Sequence, residues 1–127
     1  MNNECFYKDD EGISVNLIFD ACGEYEVQVI YLESEVMDEK LVNEIDSILK
    51  NQEKIFSLLK KEILLYIDRN YKNGDFCLKL MKIYVFPDIE NELGFIFRWN
   101  GDTEHGIGVR MSGLSVKKIG SAEMAFL

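Results

Sequence analysis

A chain of 127 residues with 47% hydrophobic and 12% aromatic content is large enough to bury a core and too apolar to remain disordered at a net charge of −9. It is expected to form a single domain, residues 1–127. The acid surplus argues against nucleic acid and anionic membrane as partners, since both need a basic face.

The opening segment Met1-Asn-Asn-Glu-Cys5 lacks the basic and apolar regions of a signal peptide, and the longest apolar run, Ile63-Leu-Leu-Tyr-Ile67, is too short to span a bilayer. Cys5, Cys22 and Cys77 are odd in number, widely spaced and without a C-x-x-C. Reduced thiols in the cytoplasm are therefore expected.

Cys5 to Tyr7 is expected as a short edge strand. Ile13–Phe19 and Tyr25–Leu32 alternate with period two, and the turn around Gly23 joins them as an antiparallel hairpin. The period then becomes helical. Leu41, Val42, Ile45, Ile48 and Leu49 share one arc, which predicts a helix over 39–50 with Asp38 as N-cap. Ile55, Phe56, Leu59, Ile63, Tyr66 and Ile67 predict a second over 52–70, stopping near Gly74, with Leu64 on its wet side. One continuous helix would overhang so small a domain, so a break is placed at Asn51, as the cap of the second helix.

Period two returns after Lys72-Asn-Gly-Asp75, with a change of parity near Leu80 that predicts a bulge. Leu93, Phe95, Phe97 and Trp99 form one apolar face, repeated by Ile107, Val109 and Met111. Gly94, Gly106 and Gly108 occupy the opposite parity and leave room for backbone to approach. Ser112-Gly113 turns into a last strand, 114–119. The expected fold is α+β: an antiparallel sheet packed on one face by two helices, in the order β-hairpin, α-α, β-meander.

Chemistry concentrates at Trp99-Asn-Gly-Asp-Thr-Glu-His-Gly106. Asp102, Glu104 and His105, with Glu123 from the tail, are the candidate metal ligands, but three ligands within four residues make poor zinc geometry and no second His exists. Glu104 and His105 also define the alternative function, a small metal- or ligand-dependent enzyme or a ligand-sensing domain. No P-loop, G-x-G-x-x-G, G-x-S-x-G or H-E-x-x-H is present, so no cofactor, metal or catalytic residue is assigned.

The tract Phe97-Arg-Trp99, Asp102-Thr-Glu-His-Gly-Ile-Gly-Val109, Val116-Lys-Lys-Ile-Gly120 and Glu123-Met-Ala-Phe126 resembles a family of small bacterial domains of unknown function. Similar domains occur among immunity proteins of bacterial polymorphic toxin systems. The resemblance covers roughly residues 81–127 and implies Trp99, Asp102, Glu104, His105, Gly106, Gly108, Gly120 and Glu123 as its signature positions, with a structural role.

Charge points elsewhere. Residues 1–49 hold 13 acidic against 2 basic residues, a net of −11, which leaves +2 for residues 50–127. An acidic face speeds encounter with a cationic protein. The expected function is a non-enzymatic, immunity-type antidote that binds a cationic partner, in particular a toxin domain. Glu24, Glu26, Glu33, Glu35, Asp38 and Glu39 are its candidate contacts, on a monomer or weak homodimer.

Overall fold

A computed structural model describes residues 6–71 and 77–127. The expectations for Cys5, the turn over 72–75 and the stop near Gly74 lie outside the described residues. The elements run β1 (Tyr7–Asp9), β2 (Gly12–Ile18), β3 (Glu26–Leu32), α1 (Glu39–Lys50), α2 (Gln52–Asn70), β4 (Leu78–Val85), β5 (Glu92–Trp99), β6 (Ile107–Ser112) and β7 (Ser115–Gly120). A 3-10 turn, Ala122–Ala125, follows. No helix among the described residues is long and apolar enough to cross a membrane.

The strands form one seven-stranded sheet in sequence order, and the class is α+β as the periodicities require. The expectation of a wholly antiparallel sheet is corrected at its centre, where β3 and β4 pair in parallel. Two helices separate these strands in sequence, and such a crossover returns the chain to the end where β3 began. One rung crosses six strands through Val15, Val29, Ile83, Phe95, Val109 and Ile119. This face receives Leu41, Ile45 and Ile48 of α1 and Ile55, Phe56, Leu59, Ile63 and Ile67 of α2, all buried. Phe56 meets Phe19 and Phe95 edge-on, at 5.8 and 6.2 Å between ring centres. Each fully buried side chain of this size stabilises the fold by about 1.5–3 kcal/mol, so this layer is the main source of stability.

Asp38 caps α1 by accepting from the Leu41 N–H at 3.1 Å, and the Tyr31 hydroxyl donates to the same carboxylate at 2.9 Å. The helix break falls at Asn51, but its role is corrected. Its side-chain amide and its backbone N–H both donate to the Ser47 carbonyl, at 2.9 and 3.1 Å, so Asn51 closes α1 and gives α2 no side-chain cap. Backbone at φ −109° and ψ 15° has already left the helical well, and a side chain turned back cannot reach forward. Leu64 is half-buried rather than on the wet side; the exposed residue is Leu65, 41% open. Two steps beyond buried Ile63 is a rotation of about 200°, which carries Leu65 to the far side.

The expected bulge lies between Leu80 and Lys82. It keeps Leu80 and Ile83 on the helix side despite their odd spacing.

Candidate functional site

The opposite sheet face is covered only in part, by the chain after β7. A Cβ on Gly94 would sit 1.9 Å from the Ala125 carbonyl oxygen, and one on Gly108 would sit 2.5 Å from that of Ala122. No side chain fits in either gap. Gly120 faces a side chain instead: a Cβ there would sit 2.9 Å from Met124 Cγ. Once seated, the tail buries Ala125 and lays Phe126 against Tyr84, 5.3 Å between rings. Gly106 is different: it holds φ +63° where the turn enters β6, a conformation that favours glycine. It serves the turn rather than the approach of the tail.

The turn between β5 and β6 is organised by Asp102. Its carboxylate accepts from the His105 N–H at 3.1 Å and lies 3.1 Å from His105 Nδ1, while its carbonyl accepts from the Gly106 N–H at 3.1 Å. The His105 N–H, then the imidazole, hold the Asp102 carboxyl below its ordinary range. The His105 carbonyl accepts from the Ala122 N–H at 3.0 Å, which fastens the turn to the tail. Glu123 arrives beside it and also titrates low, first because the Ser121 hydroxyl donates to it at 2.6 Å and lastly through the His105 charge. The Glu104 side chain is exposed, and Trp99 is buried with Tyr71 edge-on at 4.8 Å.

Asp102, His105 and Glu123 are therefore neighbours, as the sequence pattern allows. No three His, Cys, Asp or Glu side chains among the described residues are grouped to hold a metal ion. Cys22 lies apart from this turn, beside an open cleft of about 230 Å³ that includes Tyr25, Phe56 and Lys60. Burial pushes its thiol up to about 11, the opposite of an activated nucleophile. Gly94, Gly106, Gly108 and Asp102 thus have tasks in the backbone geometry, while the exposed imidazole has the Asp102 carboxylate in contact and Glu123 near enough to feel its charge.

The six acidic candidates divide in two. Glu24 and Glu26 stand at the start of β3, near Tyr25, whose ring carries Lys79 Nζ at 4.8 Å from its centre. Glu33, Glu35, Asp38 and Glu39 stand at its other end. Seven residues of strand separate Glu26 from Glu33 by about 23 Å. That is more than a Debye length at physiological salt, so the two groups act independently.

The second group is joined by acids that the linear count did not associate with it. The Glu33 N–H donates to the Glu11 carbonyl at 2.7 Å, bringing the β1–β2 turn with Asp9, Asp10 and Glu11 alongside. Parallel pairing sets the end of β4, and the loop carrying Asp88 and Glu90, beside the end of β3. Three buried or half-buried groups respond first to burial and then to part of this charge. Tyr31 is pushed up to about 12, first by burial, then by the Asp38 hydrogen bond and the charges of Asp38, Asp88 and Glu44. Tyr84 is raised by burial, by the hydrogen bond it donates to Glu11 at 2.6 Å, and by Glu11 and Asp9 charge. Glu44 is raised by burial and by Glu90, against an opposing pull from Lys40.

Two cations at this end, Lys40 and Lys82, are tied down, while Lys8 in β1 stays exposed. Lys82 pairs with Glu11 at 2.8 Å, and Lys40 donates to the carbonyls of Phe86, Pro87 and Ile89 at 2.5, 3.0 and 2.8 Å. The chain matches no protein-family model, and no curated protein and no solved structure matches it.

Proposed function

We propose that the protein is a non-enzymatic binding protein, an immunity-type antidote that neutralises a cognate toxin domain by presenting this acidic end of the sheet to a cationic surface. The observation that carries the reading is the convergence of Asp9, Asp10, Glu33, Glu35, Asp88 and Glu90 from three separate segments, with Lys40 and Lys82 already engaged. A single-sign patch of this kind raises the rate of encounter with a positive partner and rejects negative ones. The resemblance of residues 81–127 supplies the immunity setting, and a cytoplasmic site of action belongs to the same proposal.

The direct test is to express the gene adjacent to this one, alone and together with it. Growth arrest by the neighbour, relieved by this protein, is the expected result; a harmless neighbour that does not bind it would remove the antidote reading. The same assay addresses the alternative centred on Glu104 and His105. Relief should survive His105→Ala, because the partner meets the acidic end and not the β5–β6 turn. Loss of relief in a folded His105→Ala protein would favour the alternative.

A further inference from the structure

At the edge of the acidic end, the corner between α1 and α2 opens a cleft of about 210 Å³ against the start of β5 and the β6–β7 turn. Ile48, Ile55 and Leu93 give it apolar walls, while Glu44, Asn51 and Asn91 supply polar atoms. Among the described residues Glu44 has no ion-pair partner within 4.0 Å. Lys40 is near enough to act on its charge, yet the Lys40 ammonium is committed to three backbone carbonyls of the β4–β5 loop. Asn51 spends its amide N–H on the Ser47 carbonyl, which leaves its side-chain oxygen without a donor.

The cleft thus offers a carboxylate without an ion-pair partner and an open amide oxygen, beside the Ser47 hydroxyl and the Asn91 amide, with walls suited to an aliphatic stem. We infer that it receives the side chain of an arginine from the partner. A guanidinium has five donors and no acceptor, so it can serve the Glu44 carboxylate and an asparagine oxygen at once. Its methylenes pack on Ile48, Ile55 and Leu93 while the charge reaches Glu44. A lysine ammonium carries one compact charge and lacks the planar fork, so it satisfies fewer of these acceptors. Buried arginine anchors flanked by weaker contacts are a common source of binding energy at protein interfaces. The choice of a partner side chain rests on the binding reading above. In that scheme the exposed acids set the encounter rate and the cleft sets how long the complex lasts.

The cleft can be tested without the partner. Uniformly 15N-labelled protein at 150 mM salt is titrated with N-acetyl-arginine amide, and with the lysine and citrulline analogues as controls. The arginine compound should shift the amides of Asn51, Asn91 and Gly113 in a saturable way, with a Kd on the order of 1 mM, the range open to so small a ligand. The citrulline compound, isosteric but neutral, should bind at least about tenfold more weakly, as expected when a charge-assisted contact is lost. Glu44→Gln should weaken the arginine compound by a similar factor while leaving the spectrum otherwise unchanged. Leu114→Lys, at a position 52% exposed in the β6–β7 turn, should do the same by setting a cation at the cleft.

Absence of a saturable shift at those amides overturns the inference. So does full affinity in Glu44→Gln, and equal binding of the lysine analogue overturns the assignment to arginine. Reversal at Glu33 and Glu35 should leave this Kd within about twofold, because the ligand is small and the salt screens them. The cleft and the acidic surface can therefore fail separately.

Discussion

The two ends of the sheet's second face are built on different principles. Toward β5, β6 and β7, missing side chains at Gly94 and Gly108 let the tail backbone descend, and Asp102 and His105 lock the turn that receives it. Steric fit seats the tail there, while Glu104 and His105 stay exposed on the turn. Toward the ends of β3 and β4, the acids Asp9, Glu33, Glu35, Asp88 and Glu90 are exposed at the end of β1 and in loops, and their like charges repel one another. The contrast teaches that a distinctive motif can carry steric tasks, as at Gly94 and Gly108, while the surface proposed for binding is made of ordinary acidic residues brought together.

The largest expected break of this contrast is Gly94→Ala. The new methyl would meet the Ala125 carbonyl, a backbone atom that cannot swing aside, and overpacking of this kind costs about 3 kcal/mol. Urea unfolding should show that loss, while binding through the acidic end persists in whatever fraction stays folded. A stability unchanged within 0.5 kcal/mol, roughly the surface-substitution range, would mean that the tail is not seated as described.

Glu92 offers a second, pH-dependent contrast. It is buried at the start of β5, accepts from Lys117 at 2.5 Å, and lies 3.5 Å from Arg110, which stacks on Phe86 at 3.8 Å. The Lys117 hydrogen bond first, then the charges of Lys117 and Arg110, hold its carboxyl below the ordinary 4.5. A folded-state pKa below the unfolded one stabilises above the unfolded value and is lost as pH falls through the folded value. Glu92→Gln should therefore cost about 1–2 kcal/mol at pH 7, with the difference from wild type shrinking below pH 4.5. A gap that grows on acidification would contradict the pairing.

The smallest effect is expected at His105, whose side chain is 63% exposed. His105→Ala keeps the backbone bonds to Asp102 and Ala122 and should shift stability by less than about 0.5 kcal/mol in the same urea series. A loss above about 2 kcal/mol would give the imidazole a structural weight that its exposure denies.

Much of the fold was legible because each element repeats its own period. The apolar arc through Leu41, Ile45 and Ile48 and the parity change near Leu80 both lie where the sequence points. The close approach at Gly94 and Gly108 was readable from parity, since glycines facing away from a core strand leave a space that something fills. What escaped was mostly relational. An asparagine at the end of a helix bonds backward as readily as forward, so the sequence leaves open which helix Asn51 caps. A count of charge along the chain puts Glu24 and Glu26 with Glu33 and Glu35, while the length of β3 keeps them apart. Asp88 and Glu90 lie in the half of the chain with a slight basic excess, where such a count hides them. A two-helix connection between β3 and β4 allows either strand direction, so their parallel pairing and common end are not legible from the helices alone.

The association kinetics of the cognate partner give the most direct test. With the adjacent gene product as partner, the rate constant of wild type and of the Glu33→Lys, Glu35→Lys double variant is followed by stopped flow across ionic strength. The acidic-surface account predicts an association rate at low salt slowed by about tenfold in the variant, with a flatter salt dependence and a dissociation rate little changed. Rates and salt slopes that coincide for the two proteins would contradict it.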